Sequence, residues 1–120
     1  MANVFTTVGA QFVTDLFDAT ATAPATHYIA WGTGAGTAVV GSTTLFTEGP
    51  EARVAATRSQ PTAVQNQFVG TITASAARTV TNAGVFSAIT TGSLYLHSDF
   101  TGVVLATGDA IQFTFTLSWS

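Results

Sequence analysis

From Asp109 to Trp119 the chain reads DAIQFTFTLSW, with Ile111, Phe113, Phe115, Leu117 and Trp119 at every second position and Gln112, Thr114, Thr116 and Ser118 between them. Side chains of an extended chain point alternately to opposite faces, so this order builds a ribbon with one apolar face and one polar face. A helix would scatter the same residues around its axis. The segment is therefore predicted as a strand with one face against a core, and that core needs other strands to complete it.

Further strands are legible upstream. Asn66–Ala74 sets Phe68, Gly70, Ile72 and Ala74 on one face. His27–Thr33 is rich in β-branched and aromatic residues, with Tyr28 and Ala30 opposing Ile29 and Trp31. Ala52–Ser59 alternates weakly. Arg78–Ser87 carries Val80 and Val85 around Asn82-Ala83-Gly84, a tripeptide that predicts a turn. Ser93–Phe100 sets Leu94, Leu96, Ser98 and Phe100 against Tyr95, His97 and Asp99. Turns are expected at Thr90-Thr91-Gly92 and at Thr107-Gly108-Asp109, the second joining Val103–Ala106 to the last strand. Only residues 3–19 suit a helix: Phe5, Val8, Phe12, Leu16 and Ala19 form a stripe that Val13 and Phe17 widen, with Asp15 and Asp18 facing away. An extended Asn3–Thr7 is the alternative there. Residues 19–26, with Pro24, read as a loop, and Ser42 is placed to cap a short helical turn through Glu48, with Leu45 and Phe46 inward. The expectation is an all-β fold, an antiparallel sandwich or jelly-roll-like barrel with a short N-terminal helix.

At 120 residues the chain fits a single domain, 1–120, able to bury roughly two-thirds of its unfolded surface. It has no Cys, which removes disulfides and thiol chemistry. Charge is the unusual quantity: 8% of residues are charged, against about 25% in an ordinary domain. There is no Lys, and the cations are Arg53, Arg58 and Arg78. Nucleic acid and anionic membrane surfaces are disfavoured as partners, since both need clustered cations. Thr, Ser, Ala and Gly stand in place of charge, and a neutral surface of that kind is cheap to desolvate in an interface. Self-association is the expectation, with a Thr-rich monomer as the alternative. Met1–Gly9 lacks the cationic start and apolar run of a secretory leader, and no stretch reaches the length of a membrane span, so synthesis in the cytoplasm is expected.

Groups able to do chemistry are few. His97 and Asp99 lie two apart on one strand face, the spacing of an acid–base couple, but no nucleophile accompanies them and an ordinary hydrogen bond is the expected use. His27 is the only other imidazole. The carboxylates Asp15, Asp18, Glu48, Glu51, Asp99 and Asp109 show neither glycosidase pairing nor calcium-loop spacing. Gly32-Thr33-Gly34-Ala35-Gly36 lacks the third-glycine spacing and following helix of a dinucleotide site and the Lys of a phosphate loop, and it reads as a flexible surface loop. Tyr28, Trp31, Tyr95 and Trp119 are candidates for a sugar-stacking platform, with core packing as the alternative use. No catalytic, cofactor-binding or metal-binding residue is assigned, and the chain is expected not to be an enzyme. Each arginine is a candidate for an ion pair within or between subunits, Glu48 with Arg53 first.

Three stretches together resemble small structural proteins of tailed bacteriophages, either capsid decoration or tail-associated. They are His27-Tyr28-Ile29-Ala30-Trp31-Gly32-Thr33-Gly34; Thr44-Leu45-Phe46-Thr47-Glu48 with Ala52-Arg53-Val54; and Val80 to Ala88 followed by Gly92-Ser93-Leu94-Tyr95, Asp99-Phe100 and Gly108-Asp109-Ala110-Ile111-Gln112-Phe113. Their order carries the resemblance more than any one piece, and it covers most of the chain. The resemblance implies a β-rich virion protein that often assembles symmetrically, most often as a homotrimer, with the phage major capsid protein as partner. A tail or fibre component and a small carbohydrate-binding module are the alternative functions.

Overall fold

The structure, a computed structural model, describes residues 3–20, 22 and 26–118. The expectations at Pro24 and Trp119 lie outside the described residues. In chain order the elements are β1 (Asn3–Phe5), α1 (Thr7–Phe17), β2 (Tyr28–Gly32), β3 (Val54–Ala55), β4 (Thr57–Ser59), β5 (Gln65–Thr73), β6 (Arg78–Phe86), β7 (Leu94–Leu105) and β8 (Ala110–Ser118).

They form two antiparallel sheets, ordered β1-β7-β6-β2-β3 and β4-β5-β8. The sandwich and the short N-terminal helix are as expected. The barrel is not: among the described residues β1 and β3 end one sheet, β4 and β8 end the other, and the edges do not join.

The β5–β8 ladder runs without a slip from Gln65↔Ser118 to Thr73↔Ala110. It sets Phe68 opposite Phe115 and Ile72 opposite Ile111, so the apolar rows of both strands share a face. That face meets Ile29, Trp31, Val80, Ala83, Val85 and Leu96 of the larger sheet across the interior. The chain changes sheet three times. At Ala56, between β3 and β4, the Ala56 N–H donates to the His27 carbonyl. The β5–β6 and β7–β8 crossings bond to each other, Ala74 N–H to Asp109 O at 2.8 Å and Gly108 N–H to Ala74 O at 2.9 Å. The Asp109 carboxylate closes its own turn by accepting the Ala106 N–H.

Several boundaries differ from expectation. The helix begins at Thr7 because Thr6 caps it, its hydroxyl oxygen accepting the Gly9 N–H at 3.0 Å and its O–H donating to the Leu94 carbonyl at 2.6 Å. Asn3–Phe5 is then free to pair with β7. The helical stripe is not packed along its length: Phe12 stacks on Tyr95 at 4.9 Å, but Leu16 is 36% and Phe17 89% exposed. Asn82-Ala83-Gly84 is no turn but the middle of β6. A register shift between Val80 and Asn82 reverses the alternation there, so Val80 and Ala83 both face the interior while Asn82 faces out. β7 runs unbroken through Thr101-Gly102. Residues 42–48 form no helical turn; the Ser42 hydroxyl accepts the Val39 N–H, closing a tight local turn.

Part of the outer face of the larger sheet is also buried. There Ala30, Leu45, Phe86 and Leu94 form a second cluster under the connection 33–53. Gly84 lies beneath it, and a Cβ at that position would stand 2.6 Å from Leu94 Cδ1 and 2.7 Å from the Leu96 carbonyl oxygen. Gly84→Ala is expected to cost about 1–3 kcal/mol through overpacking against backbone. Gly41→Ala, with open space around the position, is expected to be neutral within about 0.5 kcal/mol. Urea denaturation of the pair reads the difference, and equal midpoints would refute the close packing of Gly84.

Candidate interaction surface

The side chains able to do chemistry are built into the scaffold. Asn82 is fully buried and uses all of its hydrogen-bonding capacity. Its Oδ1 accepts the Phe46 N–H at 3.1 Å and stands 3.1 Å from His97 Nε2. Its Nδ2 donates to the Phe46 carbonyl and to Thr81 Oγ1, each at 3.1 Å. An amide that bonds both N–H and C=O of one residue does the work of a neighbouring strand. Because Oδ1 only accepts, His97 carries its proton on Nε2. Its Nδ1 is buried without a hydrogen-bond partner, which fits an unprotonated nitrogen. Burial holds His97 below the usual histidine range, against the opposing pull of Asp99. Asp99 Oδ2 accepts the Ala38 N–H at 2.6 Å and so pins the loop.

The Gly-rich segment leaves β2 as a surface loop, as expected, but its first residues are tied to the scaffold. Thr33 and Gly34 donate to the carbonyls of Thr47 and Phe46, and the Thr81 hydroxyl donates to the Gly34 carbonyl. A Cβ on Gly34 would stand 2.9 Å from the Phe46 carbonyl, so glycine is what lets the two backbones meet.

The carboxylates divide in the same way. Glu51 is nearly enclosed, its side chain 6% exposed, and it accepts from Trp31 Nε1 (2.9 Å), Ser75 N (3.0 Å), Ser75 Oγ (2.9 Å) and Arg78 Nε (3.1 Å). Burial pushes its pKa up, but the hydrogen bonds from Ser75 and Trp31 outweigh burial and bring it down to about 2. The expected Glu48–Arg53 pair is present as a two-point contact at 2.9 and 3.0 Å. Arg53 also donates to Ala88 and Thr91 carbonyls and lies 3.6 Å over the Phe86 ring. Arg58 Nη1 stands 3.5 Å from His27 Nδ1, and burial, with Arg58 second, lowers the His27 pKa. Asp18 is the helix C-cap. Among the described residues no three His, Cys, Asp or Glu are grouped to hold a metal ion, and no helix is long and apolar enough to cross a membrane.

Among the described residues Tyr28, Trp31 and Tyr95 do not form one exposed platform. Trp31 is 1% exposed, inside the core, with its ring edge toward Phe113. Tyr95 is buried under Phe12, Tyr28 is half-buried, and Trp119 lies outside the described residues.

Beside exposed Thr, Ser and Gln, large apolar side chains also stand open to contact. Phe17, Val104, Val40, Val39, Val64 and Ile89 are each more than half exposed. Two clefts of about 450 and 470 Å³ open where the sandwich is incomplete. One lies under α1, between Phe12, Leu16 and Phe68. The other runs beside β8, between Val4, Phe100, Phe113 and Phe115. Phe5, Leu96 and Leu117 line both. The inward row of β8 is therefore only half-buried along its whole length.

No protein-family model matches this chain, and no curated protein is detectably similar to it in sequence.

Two predictions follow from the buried polar groups. Asn82→Ala strands the Phe46 N–H and the buried His97 Nε2–H and leaves the Phe46 C=O with the Gly34 N–H alone, and is expected to cost about 2–4 kcal/mol in denaturant titration; a loss below about 1 kcal/mol contradicts the bracketing role. Glu51 has a folded-state pKa below its ordinary value of 4.5, so its contribution is fully present above pH 4.5 and is lost as the pH falls from there toward about 2. Glu51→Gln should be less stable than the parent at pH 7, and the gap should narrow across that interval. A gap that stays constant with pH would sink the assignment.

Proposed function

We propose that this chain is a virion structural protein, a capsid decoration protein of a tailed bacteriophage. In this reading it assembles with copies of itself, as a homotrimer, and binds the major capsid protein in the shell. The observation that carries the reading is the surface: Phe17 and Val104 are 89% and 80% exposed on a chain of which 8% is charged. Large apolar side chains in the open, with few charges to desolvate around them, suit burial against other subunits.

The phage resemblance supports the same reading, and its motifs fall together in space. Trp31 and Gly32 pair with Ala83 and Asn82, Gly32 bridges to Glu48, and Asn82 brackets Phe46. These motifs are the fold's own fastening, so what they support is kinship of architecture. Function rests on the surface they leave outside.

The mechanism is mechanical linkage. A protein that binds the assembled shell but not its free subunits stabilises the shell by mass action. Neutral Thr- and Ala-rich contacts make that binding insensitive to salt, because few ion pairs are there to screen.

The test is co-sedimentation with decoration-free phage heads, followed by heating of the loaded shells. Binding to heads, with a rise in their disruption temperature that 0.5 M salt leaves in place, is the expected result. Binding to tails but not heads reassigns the chain to the tail, and binding to neither overturns the virion reading. On a sizing column with light scattering, a mass near three times 12.3 kDa at two concentrations tenfold apart is expected.

A further inference from the structure

Of the four strands that end the two sheets, β8 is the longest. β1, β3 and β4 have 3, 2 and 3 residues, too short to template another strand. β8 has 9, and among the described residues it is paired on one side only, by β5. Exposed edges are ordinarily blocked by a charge, a proline or a bulge. Ala110–Ser118 contains no charged residue and no proline, and its ladder with β5 shows no register shift.

The sequence of the strand identifies what fits that edge. AIQFTFTLS is near-symmetric in character about Thr114: Phe113 and Phe115, Gln112 and Thr116, Ile111 and Leu117, Ala110 and Ser118 stand at equal distances from it. Laid antiparallel on a second copy with Thr114 opposite Thr114, Ile111 meets Leu117 and Phe113 meets Phe115, all on the inner face. Every polar pair falls on the outer face, and no charges oppose one another.

We propose that β8 pairs with β8 of a second copy across a two-fold axis at Thr114. The two three-stranded sheets become one continuous sheet of six strands. The Phe113 and Phe115 rows of the two copies cover each other, completing the side of the sandwich that each leaves open. The contact is isologous and joins copies in pairs. Within the proposed assembly it links one trimer to the next. It rests on the self-association in the proposed function and not on the capsid.

The absence of Cys allows a direct test on the purified full chain. Thr114 is exposed and outward-facing, so Thr114→Cys leaves the core untouched. Residues directly opposite in an antiparallel pair have Cα atoms about 4.5–5.5 Å apart, within reach of a disulfide. Cys at position 116 would stand about 14 Å from its copy in this register, from four residues of strand rise. Mild oxidation should convert most Thr114→Cys into a disulfide-linked pair and leave Thr116→Cys at least tenfold less linked. At concentrations high enough for the parent trimers to associate further, Thr114→Lys, which sets two ammonium groups against each other at the axis, should hold the mass by light scattering at that of the trimer while its circular dichroism stays that of the parent.

Equal linkage at 114 and 116 means random collision and overturns the register. No linkage at 114 at any concentration means that the edge takes a strand of another protein or none, and overturns self-pairing. Linkage at 114 with no binding to phage heads keeps the pairing and removes the capsid function.

Discussion

Asn82 carries the arrangement on which the outer half of this protein depends. The connection from Thr33 to Arg53 covers the outer face of the larger sheet with scarcely any ladder of its own, and its polar backbone must find partners or stay wet. One buried amide supplies them by bonding both backbone groups of Phe46, and it also fixes the tautomer of His97. Asp99 at Ala38 and the Thr7 N–H at Val40 pin the loop further along. With those anchors in place, Leu45 closes over Phe86 and Leu94.

Glu51 does the corresponding work where the two sheets are joined. It gathers Trp31 of β2, Ser75 of the β5–β6 crossing and Arg78 at the start of β6. The core indole and the crossing are thus fixed relative to each other by a charge whose attraction survives because it is desolvated and fully bonded. Charge is scarce in this chain, and two of its three cations, Arg53 and Arg78, are committed to buried or half-buried glutamate pairs. The outer surface is correspondingly neutral.

The parts of this design visible in the sequence are those set by neighbours along the chain. β5 and β8 read correctly because period-two alternation is a local property. The Glu48–Arg53 pair spans five residues and was legible for the same reason. Asn82 was misread because Asn-Ala-Gly has turn chemistry, and only a bulge together with a loop 36 residues away makes it a strand interior. Glu51 gave no signal, since its partners lie 20 to 27 residues off. Between a helix from residue 3 and the extended alternative for Asn3–Thr7, local pattern does not decide; the structure has a strand at Asn3–Phe5 because Thr6 looks like any other threonine until Leu94 meets it. The surface character, by contrast, could be read from composition alone, as charge depletion constrains every exposed face at once.

The cap of α1 has a consequence for the order of assembly. Thr6 donates to a carbonyl 88 residues ahead of it, and β1 pairs with the same distant strand. At roughly 5–20 residues per second a ribosome needs several seconds to produce that partner after Thr6 has emerged. Through that interval the first seventeen residues have apolar side chains and no strand to receive them, and an isolated helix of that length is marginal in water. The N-terminal segment therefore docks late, onto a sandwich already formed by the chain that follows it. In the finished protein it is held chiefly by β7, at the end of the chain order and of the larger sheet, so its amide hydrogens should exchange with solvent before those of β5 and β6.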